Sequence, residues 1–542
     1  MQCSFRPSSL VSVVLSTLII LNLLYFFKKF GYINAPVIPI VVSTDASDHV
    51  HPDSGPAGAV VAATTVVQWK TITAATTQTV TDKPLPIPPA ATDTPGSVRI
   101  PNPQLANLPS DYVHDERDEK WCEDRYGPSY LETIAKNARP YCTPSSRSQF
   151  DCLHSIMDGE SRRDSFCIAR NVAFDSGRFH IDCDLRDRTE PDLQGLPFPD
   201  QFSPYWYETG PRFIMAQFTQ FSPKSAAAFD SQACGSATAK RDDSYKVLIK
   251  REGGMNYWHT LMEILSFYFS IDALQMAIDR KTGRPYMSPE DTSKIQVVIL
   301  DDHKNLAYRD LWSYFSDKPI LHISNYTESA ATIPCLDNLI IPLPGASNPL
   351  WQGDWEPRTC DHSLLVDTVR SRILKHLDIS TDRDFKAPVN VTILDRRGSR
   401  KLTNARELIH ALKAAYPAVH VSVVDMAPLT LREQLDIIVR TDVLVGVHGA
   451  GHTHGFFLPP QSSVVEILPD DLAHRGFRNL ASLRGLRYFS GHAPMVSKDK
   501  NGAKGDWHEE DVAYDKAAFM KLMEAAIQSV AHRGLIDSDA DV

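Results

Sequence analysis

Between residues 385 and 469 the chain alternates β-branched runs with capped amphipathic segments, and this alternation restricts the fold more than any other feature. Val389–Leu394 (VNVTIL), Val419–Val424 (VHVSVV), Val443–Val447 and Val464–Leu468 read as strands. Asn404 with Glu407 predicts a capping box that opens a helix to about Ala415. Thr430 with Glu433 predicts a second, opening a helix to Arg440, and a short helix after Gly449 stops at Pro459-Pro460. Strand and helix in this order demand a parallel sheet with helices on both faces. A first region of the same kind spans 244–345. Gln296–Leu300 and Leu339–Pro342 read as buried strands there, and Trp258, Leu261, Met262, Leu265 and Phe269 repeat at helical spacing between Gly254 and Arg280. The expected fold is α/β, with two Rossmann-like halves.

The domain plan follows from composition shifts. Leu10–Phe27 holds 18 uncharged residues and ends at Lys28-Lys29, which predicts a membrane-spanning helix at 10–27 behind a tail at 1–9. A cleaved signal peptide has a shorter apolar core and small residues after it. Residues 28–115, rich in Pro, Thr, Ala and Val, cannot bury enough apolar surface to offset chain entropy and read as a disordered stem. Residues 116–345 form a Cys-rich, irregular region and the first half, 346–384 a linker, 385–500 the second half, and 501–542 a C-terminal tail. Its helix, Asp515–Ala531, is expected to pack across both halves. Eight cysteines beyond the anchor suit disulfides in an oxidising compartment, with 105 pairings open. The expected topology is single-pass type II in the Golgi or endoplasmic reticulum membrane, with the folded part luminal. Sequons stand at Asn325 and Asn390. The net charge, 56 − 66 = −10, lacks the basic footprint of a nucleic-acid binder.

Chemistry gathers at strand ends. The strand ending at Val447 turns through His448-Gly449-Ala450-Gly451 directly into a helix. Glycines admit close backbone approach and the helix start offers unpaired N–H groups, which together suit a diphosphate. His448 and His454 flank the turn as donors to phosphate or sugar oxygens, and Glu466 on the next strand is a candidate for sugar hydroxyls. The loop after Leu394 carries Arg396, Arg397, Arg400 and Lys401, and arginine forks match phosphate oxygens in pairs. In GGMNYWHTLMEIL, His259 and Glu263 are four apart on one helix face offset from the apolar stripe, a candidate general-base pair. Asn256 stands at the helix start as a cap or a donor-binding residue. Asp301-Asp302 after a strand is an acidic pair of the ordinary strand-end kind, and no metal is expected.

The run HGAGHTHGFFLPPQSSVVEILP resembles the signature of glycosyltransferase family 61, with its His-Gly-Ala-Gly turn, Phe-Leu-Pro run and Val-Val-Glu strand. The Arg-rich loop and the Asn256-x-x-His259-x-x-x-Glu263 pattern resemble it too. WCEDRYGPSYL at 121–131 is similar to the opening of the family's EGF-domain-specific O-linked N-acetylglucosamine transferase subgroup. His452 departs from the pattern, which commonly has Leu there, and so does the membrane anchor. The resemblance implies a GT-B architecture, two Rossmann-like domains facing a cleft. It implies inverting transfer from a UDP-sugar, with no cofactor required, to a hydroxyl of a secretory protein or glycan. N-acetylglucosamine is the sugar the subgroup implies, and UDP-xylose is the donor in other branches. Arg396, Arg400 and the turn at Gly449 would then stabilise the departing diphosphate, with His259 or Glu263 as base. A non-catalytic nucleotide-sugar or glycan-binding scaffold is the main alternative. A dehydrogenase fits less well, because Gly449, Gly451 and Gly455 are misspaced for the dinucleotide fingerprint and belong to the last unit of their sheet. A structural cell-surface protein would bind no nucleotide.

Overall fold

The computed structural model describes residues 106–112, 119–156, 163–221, 234, 241–253, 256–303, 308–328, 335–383, 387–496 and 506–532. The expected tail, the anchor at 10–27 and nearly all of the stem lie outside them. Among the described residues no helix is long and apolar enough to cross a membrane.

The first large sheet has nine strands: β1 (Arg139–Pro140), β2 (Gln149–His154), β3 (Ser165–Asp175), β4 (Arg178–Ile181), β5 (Thr219–Phe221), β6 (Arg241–Ile249), β7 (Ile295–Ile299), β8 (Leu321–His322) and β9 (Cys335–Ile341). Its order is β1-β2-β3-β9-β6-β7-β8, with β4 paired to β3 and β5 to β4. The neighbours from β9 to β8 run parallel. Those from β1 to β9 run antiparallel. The sheet is therefore mixed. The region expected to be irregular supplies its antiparallel part, because β2 and β3 are buried on both faces and carry no period-two alternation to read.

The second sheet is wholly parallel: β10 (Asn390–Leu394), β11 (His420–Val424), β12 (Val443–Val447), β13 (Ser463–Pro469) and β14 (Arg487–Ala493), in the order β11-β10-β12-β13-β14. The chain starts at β10, moves one way to β11, then reverses to β12. The adjacent pair β10 and β12 is thus the topological switch point, where open α/β sheets bind ligands beyond the strands' carboxyl ends.

Helices framing these sheets include α1 (Lys120–Tyr126), α2 (Pro128–Lys136), α3 (Tyr257–Met276), α4 (Leu364–His376), α5 (Ala405–Ala415), α6 (Leu431–Ile438), α7 (Gly476–Leu483) and α8 (Lys516–Ala531). Side chains of β12 alternate between faces. Val443, Val445 and Val447 pack with Leu408 of α5 and Phe519 and Met523 of α8. Leu444 packs with Leu435 of α6 and Leu480 of α7 in a core that also takes in Val247, Val297 and α3. One continuous core therefore joins the two sheets. The stretch 346–384 contributes Trp351, Leu364 and Val366 to it.

Three local expectations are corrected. The helix α3 is not amphipathic: every residue but His259 and Gln275 is buried, as a helix between two layers requires. The second capping box forms, Thr430 Oγ1 accepting from the Glu433 amide at 3.3 Å. The first does not. Asn404 instead bonds the backbone of Tyr514, donating to its carbonyl at 2.8 Å and accepting from its amide at 3.2 Å. The helix α8 covers the outer face of the second sheet alone, because its apolar stripe matches β12 and β13.

The eight cysteines among the described residues all pair: Cys122–Cys360, Cys142–Cys183, Cys152–Cys167 and Cys234–Cys335. This fits folding in an oxidising compartment.

Candidate active site

A cavity of about 430 Å³ opens where the carboxyl ends of β10 and β12 face the start of α3. It is lined by Asn256, His259, Arg400, His448, Gly449 and Ala450, six of the residues singled out from sequence. Asn256 also caps α3, accepting from the Trp258 amide at 3.0 Å.

The Gly449 turn is built for contact with cations. Its φ of 147° lies where side chains are strained, and a Cβ there would run into the Arg396 guanidinium and come within 3.3 Å of Arg400 Cζ. Gly451 is held small by Leu394, whose Cδ1 would stand 2.9 Å from a Cβ. Arg396 donates to the Ser399 carbonyl at 3.1 Å. Among the described residues neither Arg396 nor Arg400 meets a carboxylate at ion-pair distance, and Arg400 Nε is buried without a partner. Burial, with the like charge of Arg400, lowers Arg396 to about 10. Burial also lowers Arg400, against the attraction of Glu509 and Asp506. Arg400 itself sits at φ 57°, a strained conformation of the sort that clusters at ligand sites. Two crowded, desolvated guanidiniums beside this turn are groups of the kind that suit an anion. Arg397 takes no part, since it is exposed and paired with Asp395 and Asp425. Gly449→Ala is expected to cost about 1–3 kcal/mol through backbone strain and to displace Arg396. A denaturant midpoint equal to the parent's would contradict this.

His448 is held from behind. Its Nδ1 lies 2.6 Å from Glu466 Oε1, and Tyr488 donates to Glu466 Oε2 at 2.6 Å. Burial alone would raise Glu466, but His448 and Tyr488 outweigh it and hold the carboxylate down at about 2. Both Glu466 oxygens are therefore spent, and it orients His448 rather than facing the cavity. His454 is likewise engaged, Nδ1 with the Gly451 carbonyl at 2.8 Å and Nε2 with Gln434 at 2.9 Å, and it sits in the core.

Across the cavity, His259 and Glu263 do not form the expected pair. Glu263 points inward, accepting from the Glu252 amide at 2.8 Å and packing on Gly345. The carboxylate beside His259 is that of Glu252, 3.1 Å from Nδ1. Burial lowers His259 to about 4, with Asp354 opposing, so the ring is neutral at physiological pH.

The glycosyltransferase 61 family model matches residues 257–465, the span from α3 to β13 that contributes His259, both arginines and the Gly449 turn. The chain carries a glycosyltransferase 61 domain. It is a glycosyltransferase. Similar proteins are named EGF domain-specific O-linked N-acetylglucosamine transferase. That of Rattus norvegicus is 27% identical over 442 residues, covering 78% of this chain and 77% of the rat protein. That of Drosophila melanogaster is 24% identical, covering 74% and 75%. That of Mus musculus is 28% identical over a stretch spanning about half of each chain, 52%.

The cavity is also lined by residues the sequence reading missed. Trp258, Trp351, Trp355 and Trp507, four of the chain's eight tryptophans, line it with Tyr207, Asp354, His474 and Phe477. His474 Nε2 lies 3.3 Å from Asp354 Oδ2, and its ring stands 4.8 Å from that of His448. Trp351 lies 4.5 Å from the His259 ring. Arg400 lies over Trp507 at 5.6 Å. The one available signal was a rare residue repeated in a short run, Trp351-x-x-x-Trp355.

Other sequence candidates lie elsewhere. Asp301 is bound by Arg251, Nη2 to Oδ1 at 2.7 Å. Among the described residues no three or more His, Cys, Asp or Glu gather to hold a metal. Asn325 is exposed, whereas Asn390 is half-buried on β10 with Nδ2 donating to the Arg440 carbonyl at 3.1 Å.

Proposed function

We propose that this chain is an inverting glycosyltransferase of GT-B type that moves N-acetylglucosamine from UDP-N-acetylglucosamine to a hydroxyl of a secretory-pathway protein. The supporting observation is one cavity with Arg400 and the Gly449 turn, backed by Arg396, on the switch-point side and a neutral imidazole on the other. The relatives' printed name supports the choice of sugar and of a protein acceptor. The two sheets correspond to the two GT-B halves, with Leu10–Phe27 as a type II anchor in the Golgi or endoplasmic reticulum membrane.

In this mechanism Arg396, Arg400 and the N–H groups after Gly449 hold the diphosphate. His448, oriented by Glu466, sits beside that seat. The base must lie on the face of the sugar opposite the leaving group, which selects His259 over His448. His259 Nε2 takes the acceptor O–H proton, the acceptor oxygen bonds to the anomeric carbon, and the anomeric carbon–oxygen bond breaks with its electron pair leaving on UDP. Charge building on the diphosphate is met by fixed, largely buried cations, which strengthens such stabilisation. These groups can do this without a metal or cofactor.

The test is calorimetry of the full chain with a panel of nucleotide sugars, with and without chelator, followed by transfer assays on protein and glycan acceptors. Selective UDP-N-acetylglucosamine binding in chelator, with turnover on a protein, is the expected outcome. Selective UDP-xylose binding would change the donor. Binding without turnover would favour a scaffold, and no UDP binding would end the proposal. Arg396→Ala should weaken UDP binding by about 10–150-fold, the loss of one charge-assisted contact of about 1.5–3 kcal/mol. An unchanged Kd would remove Arg396 from the seat.

A further inference from the structure

Glu252 lies directly before the start of α3 in space and is fully buried at its side chain. Its Oε2 stands 3.1 Å from His259 Nδ1, without the alignment of a full hydrogen bond, and among the described residues neither oxygen has a hydrogen-bond partner. Its own amide is fixed by Glu263 Oε1. A buried carboxyl left this way is costly unless it serves something, and unliganded sites commonly hold their working hydrogen bonds loose. Among the described residues no hydrogen bond engages the Glu252 carboxyl, and the ring beside it is that of His259, one of two α3 residues that are not buried.

We infer that Glu252 is a positioning residue whose protonation decides which ring nitrogen of His259 carries the proton, and so whether Nε2 can accept one. This rests on the reading of His259 as base. When Glu252 is protonated it donates to Nδ1, and the neutral ring must carry its hydrogen on Nε2, where it cannot take the acceptor's proton. When Glu252 is ionised it accepts from Nδ1–H, and Nε2 presents its lone pair to the cavity. The proton taken from the acceptor then gives an imidazolium beside a carboxylate, a stabilised ion pair. Other groups face this pair. Asp354 and Tyr207 flank His259, and Glu263 adjoins Glu252 with the Arg251–Asp301 pair beyond. Burial pushes Glu252 up to about 8, and Glu263 is pushed up by burial and by Glu252.

The sign is definite. Glu252 binds its proton more tightly folded than unfolded, so it lowers stability as pH rises from its ordinary value near 4.5 toward 8. Transfer should gain over the same window, because the productive tautomer appears there.

The experiment compares kcat/KM against pH for the full chain and for Glu252→Gln. The parent should rise with pH to a plateau. Glu252→Gln should lose that rise, fall about 10–100-fold at the plateau and keep its KM for UDP-sugar, as a lost orienting partner does. It should also be more stable than the parent near pH 8. A variant with the parent's pH profile and rate would overturn the inference. A parent that transfers sugar equally well as His259→Gln would instead overturn the base assignment beneath it. Should Glu252→Gln fail to fold, ¹⁵N-histidine spectra of the parent decide: the His259 signal, assigned by its loss in His259→Gln, should pass from Nε2–H to Nδ1–H between pH 5 and 9. A tautomer constant over that range would sink the inference.

Discussion

His259→Gln is expected to lower kcat by about 10²–10⁴-fold, the usual contribution of a positioned general base, while the UDP-sugar Kd stays within about twofold of the parent. The two readouts separate because the site is divided between two layers. His259 enters from α3, on the first sheet's side, whereas the proposed diphosphate site lies at the loop after β10 and the turn after β12. Burial holds the ring at about 4, so almost all of it is neutral at pH 7 and no fraction of activity is lost there to imidazolium. Glutamine preserves much of the volume against Trp351 and Tyr207 but accepts no proton at that pH. Measurement is by initial rates at saturating donor, with calorimetry of the same preparation. Turnover within threefold of the parent would exclude His259 as base and turn attention to His448, another carboxylate-backed imidazole on this cavity.

The second large effect concerns stability. Loss of the Cys122–Cys360 disulfide, in a Cys122→Ser, Cys360→Ser double variant, is expected to cost about 5 kcal/mol on the chain-entropy account. Its partners are 238 residues apart, and the bridge ties α1 to the segment entering α4. Both sulfurs are buried in the core shared by the two sheets, beside Ser363 Oγ, which donates to the Tyr126 carbonyl at 2.7 Å. The same account gives about 3 kcal/mol for Cys152–Cys167, whose partners are 15 apart and directly paired across β2 and β3. Denaturant unfolding of the two double variants should therefore rank them in that order. Equal midpoints would show that loop closure does not set the contribution of these bridges.

Much of the second sheet was legible because it obeys local rules. Four of its strands read as β-branched runs within about one residue of their ends, and Thr430 with Glu433 formed the capping box their spacing requires. Asn404 with Glu407 has the same spacing and did not, because the backbone of Tyr514, 110 residues away, offered Asn404 both a donor and an acceptor. The antiparallel strands of the first sheet were not legible, since burial on both faces erases the alternation that marks a strand. Of the site, Arg400 from the arginine cluster and His448, Gly449 and Ala450 from the glycine turn met at one cavity. The aromatic wall and the Asp354–His474 pair did not announce themselves, because they arrive from five separate segments of chain.

Sequence by itself determined the chemistry on offer: a glycine turn after a strand, an arginine loop after another, and a histidine at a helix start. These are properties of residue type and near-neighbour spacing. Only the tertiary structure decided partnership. It put β10 beside β12, so that the arginine loop lies against the glycine turn. It buried Glu263, which helical spacing had paired with His259, and brought Glu252 to that ring instead. The physical reason is that spacing fixes which face of a helix a side chain leaves from, while burial, and with it charge, depends on what the rest of the chain packs against that face.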